Sequence, residues 1–336
     1  MEESPKKVEN VIVTGGCGFI GSHAICHFLR KTDWNIIVLD CLTYASMGFA
    51  RLKENGAFHS PRVKIFTVDL SHPLDVGLIK EMGDIDRIIH FAAETHVDNS
   101  IADPVKCIRN NVMSTVYLLE YARTLPNLKI FYYFSTDEAN GPLPEGHSPY
   151  KEDDRHKPGN PYAASKSASE DICLAYHNSY KVPILISKMI NCFAETQHVE
   201  KFIPKVVKSL LNNEKIYIHC EPGCKVSGSR YYIHARNVAD AILFIMKNGT
   251  IGEKYNISGE DRVRNLDLAL EIASIMDKTL DYEMIDFHSE RPSHDTHYGI
   301  DNSRLVQMGW IPPVGFHESL RKTVEWTVQH PEWLEE

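Results

Sequence analysis

Two side chains suited to proton transfer, Tyr162 and Lys166, stand four residues apart in a segment whose apolar residues follow helical spacing. Residues four apart on a helix project from the same face, so both can reach one cleft. A phenol has an ordinary pKa near 10 and is a poor base at neutral pH. A nearby cation lowers the pKa of an acid, so the spacing predicts that Lys166 activates Tyr162 as a base. Taken alone, such a pair is more often solvated on a helix surface.

A glycine-rich segment lies much earlier, where the apolar run Val11–Val13 leads into Thr14-Gly-Gly-Cys-Gly-Phe-Ile-Gly21 and then into an apolar-periodic helix. In that context, glycines permit a tight turn and let backbone N–H groups approach a pyrophosphate. The contact glycines are Gly15, Gly18 and Gly21. Asp40 ends the next strand, near the usual spacing of the carboxylate that binds an adenosine ribose. A carboxylate disfavours the extra phosphate of NADP, so NAD is predicted, and its oxidised nicotinamide would add to the effect of Lys166 on Tyr162.

Short apolar runs alternate with helical segments in the first half of the chain, as in a parallel sheet with helices on both faces. The predicted strands are Val11–Val13, Ile36–Leu39, Lys64–Val68, Arg87–His90 and Lys129–Phe134. The predicted helices are Ile20–Lys31, Val105–Thr124 and Ala163–Tyr180. This pattern indicates a doubly wound α/β fold of the Rossmann type. The rhythm loosens after the apolar run Val182–Ser187, so a smaller second domain is expected from near residue 189.

The composition is that of an ordinary globular enzyme, with 43% hydrophobic and 24% charged residues among 336. A formal net charge of −9 argues against nucleic acid as a partner, because nucleic-acid binders present a basic face. The longest apolar stretches are strand-sized, so no membrane span is predicted. Met1–Asn10 is charged and lacks the apolar core of a secretory signal, so the expected location is cytoplasmic.

The eight cysteines have no framework spacing of the kind that small secreted domains use, so reduced thiols are expected. Cys220 and Cys224 form the only close pair in the sequence. No second Cys or His pair at finger-like spacing accompanies them, so the sequence predicts no metal site.

Taken together, these motifs resemble those of one enzyme family. Thr14–Ser22, Phe91–Glu94, Ser135 and the Tyr162/Lys166 pair are similar to the extended short-chain dehydrogenases. More narrowly, the segments that resemble nucleoside-diphosphate-glucose 4,6-dehydratases are Leu39–Tyr44, His90–Asp98, Ser135–Glu138 and Arg291–Asp295. The resemblance runs from about Val11 to Trp326, and it implies a Rossmann fold with a smaller C-terminal α/β domain, NAD and a nucleotide-sugar substrate. Its most specific element is Asp137-Glu138, which epimerases and decarboxylases do not generally show.

The resemblance assigns the adjacent acids to a loss of water. Oxidation at C4 of the glucose acidifies the C5 proton, and elimination across C5 and C6 then needs a base and an acid. By resemblance, Glu138 is the base, Asp137 is the acid and Thr136 hydrogen-bonds the C4 oxygen. Asp137 must be protonated near pH 7, so burial and the Glu138 charge are expected to raise its pKa. The hydride returns to C6, which regenerates NAD. Without the rest of the match, a polar turn after a strand would be an equal interpretation.

The resemblance also implies ligand residues, domain limits and an assembly. The cofactor residues are Gly15, Gly18, Phe19, Ile20, Gly21, Asp40, Asp69, Leu70, Phe91, Ala92, Ala93, Thr95, Asn110, Tyr162 and Lys166. The substrate residues are Thr95, Thr136, Asn191, Lys201, Arg230, Asn265, Arg291 and His294. The NAD-binding domain spans residues 8–188 with a return segment at about 232–258, and the nucleotide-sugar-binding domain spans 189–231 and 259–330. A homodimer is expected through two helices with apolar residues such as Val116, Leu119, Ile172 and Leu174.

The chain departs from the family pattern in loops that would meet the substrate. Ala139-Asn140-Gly141 stands where the family usually has Tyr-Gly, and Cys192 stands where it usually has Asn. Ala194–His198 replaces a Gly-Pro-Tyr/Asn-rich loop, and Cys220–Ser229 is an insertion. The closing segment Thr323–Trp333 resembles UDP-glucose enzymes more than dTDP-glucose enzymes, so UDP-glucose is favoured. A UDP-sugar 4-epimerase, a UDP-glucuronate decarboxylase and a catalytically inactive NAD-binding regulator remain alternatives.

Overall fold

The structure, a computed structural model, describes residues 7–144, 146–220, 223, 226–259, 262–286 and 298–335. The strands in these ranges are β1 (Asn10–Thr14), β2 (Asn35–Asp40), β3 (Val63–Thr67), β4 (Arg87–His90), β5 (Ile130–Thr136), β6 (Ile184–Met189), β7 (Asn191–Phe193), β8 (Ile216–Cys220), β9 (Ser229–His234), β10 (Lys254–Ile257), β11 (Arg262–Arg264) and β12 (Tyr282–Asp286). The α-helices are α1 (Phe19–Lys31), α2 (Ala50–Glu54), α3 (Val76–Met82), α4 (Val97–Ala102), α5 (Pro104–Ala122), α6 (Pro161–Tyr180), α7 (Phe202–Asn212), α8 (Ala235–Asn248), α9 (Asn265–Ile275), α10 (Ser303–Gln307) and α11 (Phe316–Gln329).

Seven strands form one parallel sheet in the order β10-β6-β5-β4-β1-β2-β3. The chain builds outward from β1 in one direction through β2 and β3, and then in the other direction from β4. This reversal of strand order opens a crevice at the carboxyl ends of the strands, where ligands bind in doubly wound sheets. The predicted Rossmann-type fold is confirmed.

Except for the edge strand β3, the strands of the large sheet are mostly buried, as expected for a parallel sheet covered on both faces. Every residue of β5 is buried. Successive side chains of β1 point to opposite faces, so Val11 and Val13 join a core with α1 and α8, whereas Ile12 joins a core with α5 and α6. Leu119, expected on a dimer surface, lies fully inside this second core. That expectation was wrong because α5 turns this side chain toward its own sheet.

A smaller region follows the large sheet. It contains the three-stranded sheet β11-β9-β7 and the parallel pair β8 and β12. Helices α7, α9 and α11 cover these strands around a third core that includes Val206, Leu268 and Leu320. After α8 the chain returns to the large sheet, where β10 pairs with β6. The exact limits of two domains stay a prediction.

Helix starts follow local capping chemistry. The Asn160 side chain accepts a hydrogen bond from the Ala163 N–H, and Pro161 occupies the first position of α6. Among the described residues, no helix has both the length and the apolar character needed to cross a bilayer. Cys220 is disulfide-bonded, so the expectation that all cysteines are reduced was wrong for this residue.

Candidate active site

A cavity of about 420 Å³ opens at the carboxyl ends of the large sheet. It is lined by most residues that the sequence predicted for cofactor, catalysis and substrate. These are Gly15, Gly18, Phe19, Ile20, Gly21, Asp40, Asp69, Leu70, Phe91, Ala92, Ala93, Thr95, Asn110, Thr136, Asp137, Glu138, Tyr162, Lys166, Asn191 and Lys201. The sheet therefore gathers residues from distant parts of the sequence into one place.

Two glycines of the glycine-rich loop have no room for a side chain. Gly15 has φ +67°, and an added Cβ would lie 2.8 Å from backbone atoms of Ala92. At Gly21, an added Cβ would collide with the Gly15 carbonyl oxygen. Helix α1 begins directly after Gly18, so its N-terminal N–H groups face the cavity. This tight cradle at a helix N-terminus fits the pyrophosphate of a dinucleotide.

Asp40 is fixed at the end of β2 before any ligand arrives. Its carboxylate accepts hydrogen bonds from the N–H groups of Cys17 (2.9 Å) and Leu42 (2.8 Å). Burial raises the pKa of Asp40, although these backbone hydrogen bonds oppose the shift. The carboxylate joins the glycine loop to β2 and lines the cavity, which suits it to hold ribose hydroxyls.

Tyr162 and Lys166 lie on one face of α6, as predicted, and both are buried in the cavity wall. The Lys166 ammonium donates to the Phe134 carbonyl at 2.6 Å and lies 4.4 Å from the centre of the Tyr133 ring. Burial lowers the pKa of Lys166 to about 8. Burial and the Glu138 charge raise the pKa of Tyr162. In the protein alone, this direction is opposite to the one expected from Lys166, because burial and the neighbouring acids Glu138 and Asp137 raise the pKa.

Asp137 and Glu138 follow β5 in a single 3-10 turn, and their surroundings differ. Asp137 is buried, and burial followed by the Glu138 charge raises its pKa to about 7. The predicted rise in the pKa of Asp137, and its two causes, are confirmed, whereas its role as the acid stays a prediction. Glu138 is half-buried, and its Oε2 accepts a hydrogen bond from the Asn160 amide at 3.1 Å. One wall of the cavity thus holds a carboxyl group that keeps its proton near neutral pH beside a second carboxyl group.

Behind these acids lies a buried charge network that the sequence did not reveal. Glu170 stands four residues after Lys166, and it accepts a hydrogen bond from the Ser135 hydroxyl at 2.5 Å. The Lys188 ammonium lies 3.8 Å from Glu170 and donates to the Asn140 side chain at 2.9 Å. The network therefore braces both ends of the Ser135–Asn140 segment. The helical spacing of Glu170 after Lys166 was the one available signal.

Only some of the residues predicted to bind the nucleotide of the substrate line the cavity. Asn191 and Lys201 line the cavity, whereas Arg230 and Asn265 do not. The Arg230 charge still acts on Asp137 and lowers its pKa against the effect of burial. Asn265 accepts a hydrogen bond from the Tyr232 hydroxyl at 3.2 Å. Arg291 and His294 lie outside the described residues.

The described ranges hold no group of three or more His, Cys, Asp or Glu side chains able to bind a metal ion.

A family model described as GDP-mannose 4,6 dehydratase matches residues 12–323 of the chain. The chain belongs to this family. Family membership agrees with the cavity, where adjacent acids stand beside a dinucleotide cradle.

The relatives include several 4,6-dehydratases. The dTDP-glucose 4,6-dehydratase of Escherichia coli is 31% identical over 350 residues, which cover 97% of this chain and 94% of that protein. A trifunctional UDP-glucose 4,6-dehydratase/UDP-4-keto-6-deoxy-D-glucose 3,5-epimerase/UDP-4-keto-L-rhamnose-reductase of Arabidopsis thaliana is 32% identical over 336 residues, covering 99% of this chain and 49% of that protein. The chain thus spans about half the length of this relative.

Among solved structures, the dTDP-glucose 4,6-dehydratase DesIV from Streptomyces venezuelae has a TM-score of 0.86 and 31% sequence identity. The match covers 97% of this chain and 99% of that one. DesIV was solved with NAD bound. The likeness therefore extends over the whole two-part architecture and not over the large sheet alone.

Proposed function

We propose that this protein is an NAD-dependent hydro-lyase that converts a nucleoside-diphosphate-glucose to its 4-keto-6-deoxy sugar. The observation that carries the proposal is the contrast within one turn of chain: Asp137 is buried with a pKa raised to about 7, and Glu138 stands beside it. A pair of titratable groups with divergent environments is the arrangement that divides acid and base work. Both groups share a cavity with Tyr162 and the glycine cradle.

In the first step, Tyr162 removes the proton of the C4 hydroxyl while the sugar is oxidised at C4. NAD bound by the glycine cradle and Asp40 would supply the hydride chemistry that links C4 and C6 of the sugar. Tyr162 must lose its own proton for this role, and a positive charge at the nicotinamide end of the site would lower its raised pKa. The Thr136 hydroxyl accepts a hydrogen bond from the Glu138 N–H, lies within hydrogen-bond distance of Asp137 and lines the cavity, which supports a role for Thr136 in hydrogen-bonding the C4 oxygen.

In the second step, Glu138 takes the C5 proton and Asp137 gives its proton to the departing C6 hydroxyl. The Asn160 amide donates a hydrogen bond to Oε2 of Glu138, and this contact fixes the orientation of the carboxylate and therefore of its other oxygen. Burial keeps Asp137 protonated until the hydroxyl leaves, after which the group carries a negative charge close to Arg230. The residues that carry out these two steps all line the cavity, and Asn160 and Arg230 assist them from just outside it.

UDP-glucose is the proposed substrate, with dTDP-glucose second, because the closing segment Thr323–Trp333 is similar to that of UDP-glucose enzymes. Fold similarity alone does not choose between a dehydratase and an epimerase, since one fold supports many reactions. Mass spectrometry of the product distinguishes them. A product lighter than the substrate by one water molecule supports the proposal. The substrate that is converted faster, UDP-glucose or dTDP-glucose, identifies the preferred nucleotide.

The same assay tests the alternatives. A product of unchanged mass would identify a 4-epimerase, and loss of carbon dioxide from UDP-glucuronate would identify a decarboxylase. No conversion of any sugar nucleotide, together with normal NAD binding, would identify an inactive regulator.

A homodimer through α5 and α6 is the proposed assembly, and exposed apolar residues at the end of α4 and the start of α5 add to the surface that a second copy of the chain would cover. Ile101, Val105 and Ile108 are exposed there. Large exposed apolar groups that cluster often mark an interface. Sedimentation should give a dimer at micromolar protein, and a monomer would contradict this. The cytoplasmic location stays a prediction.

A further inference from the structure

Arg51 on α2 is a buried arginine that the sequence analysis did not single out. The residue is only 1% exposed, which is unusual for an arginine on a helix of five residues. Its Nε donates to the Thr196 carbonyl at 2.9 Å, and its Nη1 donates to the Ala45 carbonyl at 2.7 Å. One side chain thus connects α2 with a loop 145 residues away.

The third donor group of Arg51 has no partner. Its Nη2 is buried and makes no hydrogen bond within the part of the chain that the structure describes. Burying a charged donor without a partner is strongly unfavourable. Burial accordingly lowers the pKa of Arg51 to about 10, with a partial opposing effect from Asp40. A ligand atom that accepted a hydrogen bond from Nη2 would offset this cost.

The position of Arg51 identifies which part of a ligand can supply that partner. Arg51 lines the same cavity as Asp40, Ala45 and Ser46, at the end of β2. This is the end of a dinucleotide site where a strand-end carboxylate binds the adenosine ribose. Asp40 offers an acceptor there and Arg51 offers a donor. Ribose hydroxyls both donate and accept, so the pair matches their chemistry.

The loop that Arg51 holds is itself unusual. Thr196 has φ +61°, a left-handed conformation that is uncommon for a residue other than glycine. The His23 ring, on α1, donates from Nε2 to the neighbouring Glu195 carbonyl at 2.9 Å. Two consecutive carbonyls of this loop are therefore fixed by side chains from the cofactor side of the molecule, and Gln197 and His198 of the loop line the cavity.

We propose that Arg51 is a cofactor-binding residue: its free Nη2 donates to an acceptor atom of the adenosine moiety of NAD, while its other two donors hold Ala45 and Thr196. The inference rests on the proposed use of NAD by this site. It adds a contact at the adenosine end and connects that end with the loop at 194–198. Binding of NAD then stabilises the loop through the same side chain.

Ligand fragments test the contact directly on the full-length protein after its NAD has been removed. The variant is Arg51→Met, and the probes are NAD, ADP-ribose and nicotinamide mononucleotide, which lacks the adenosine moiety. Loss of one charge-assisted hydrogen bond should weaken the affinity for NAD and for ADP-ribose by about 10–100-fold. The affinity for nicotinamide mononucleotide should not change. Equal losses for all three probes, or no loss for any, would overturn the role of Arg51.

Arg62 provides a matched control. Its guanidinium also bonds backbone carbonyls, those of Leu29, Thr32 and Trp34, but it does not line the cavity. Arg62→Met should lower the melting temperature and leave all three affinities unchanged. If it weakened NAD and ADP-ribose selectively as well, the selectivity of Arg51→Met would reflect general loosening, and the proposal would fail.

Further measurements keep the test informative if Arg51→Met folds poorly, and they separate failure of this inference from failure of the proposed function. Arg51→Lys keeps the charge but not the three-point fork, so it should restore part of the ADP-ribose affinity and none of the hold on Thr196. Hydrogen exchange at residues 194–198 should slow on NAD binding in the wild type and not in Arg51→Lys; equal slowing in both would contradict the connection. Wild-type protein that bound neither NAD nor ADP-ribose would overturn the proposed function itself.

Discussion

The cofactor side and the nucleotide side of the cavity are built differently. On the cofactor side, the glycine loop, Asp40 and the Tyr162/Lys166 pair all lie at strand ends or on helices packed against the large sheet. On the nucleotide side, Asn191 and Lys201 line the cavity from β7 and the residue before α7, whereas Arg230 and Asn265 stand back from it. A rigid parallel sheet fixes the first set, and connections between smaller elements fix the second.

This difference teaches where single substitutions act. Side chains added at Gly15 or Gly21 on the cofactor side would collide with packed backbone, so such changes should remove ligand binding outright. Changes on the nucleotide side meet half-exposed side chains, so they should alter affinity by modest factors. The acids at 137 and 138 lie at the end of β5, between the two sides.

The largest effect is expected for Gly21→Ala on the cofactor side. The added Cβ collides with the Gly15 carbonyl oxygen, so the loop must shift away from the pyrophosphate. Purified variant should contain no NAD, and its activity should be lost with it; wild-type protein should retain NAD. Gly315→Ala, where nothing lies within 4 Å of the added Cβ, is the control and should retain NAD. A variant at position 21 that kept its NAD would contradict the rigidity of this side.

Asp137→Asn should reduce turnover by about 10²–10⁴-fold, because the amide cannot donate the proton to the departing hydroxyl. With a pKa of about 7, wild-type Asp137 is protonated below that pH, so wild-type turnover should fall as pH rises above 7. The exposed Asp33→Asn should leave this pH profile unchanged. A wild-type rate that did not fall above pH 7 would contradict the acid role.

The same variant should be more stable than the wild type at alkaline pH. The unfolded chain loses the Asp137 proton near pH 4, whereas the folded chain keeps it until about pH 7. Between these values the unfolded state binds fewer protons, so wild-type stability falls as pH rises. Asp137→Asn removes this loss, and its melting temperature should exceed that of the wild type above pH 7. Identical melting curves at pH 8 would show that Asp137 is not buried as described.

A smaller effect is expected on the nucleotide side for Lys201→Met. Lys201 is half-exposed and lines the cavity, so its loss should raise the KM for the sugar nucleotide by roughly 10-fold with little change in kcat. Lys205→Met, one turn along α7 and exposed, is the control and should change neither parameter. A fall in kcat as large as that for Asp137→Asn would remove the distinction between the two sides.

The sequence predicted the strands of the large sheet closely because most of them are short apolar runs between helical segments: β4 was predicted with its exact bounds, and β3, an edge strand, within one residue at each end. The residues predicted to bind the cofactor do line one cavity, because the strand ends that carry many of them meet at one edge of the sheet. The sequence analysis missed Arg51 and the Glu170–Lys188 pair, whose partners lie far away in sequence. The lowered pKa of Tyr162 that Lys166 and a bound nicotinamide would produce stays a prediction, because spacing reveals a neighbouring charge but not the burial that raises this pKa in the protein alone.

The central claim is that oxidation and elimination use different residues of one cavity, and a single-turnover record of NADH absorbance tests it most directly. With Glu138→Gln, Tyr162 still supports oxidation at C4 while elimination slows by about 10²–10⁴-fold, so enzyme-bound NADH should accumulate. With Tyr162→Phe, the first step fails and no NADH should appear. If Glu138→Gln instead turned over the sugar nucleotide at the wild-type rate with no NADH build-up, Glu138 would not be the elimination base and the dehydratase assignment of this site would be wrong.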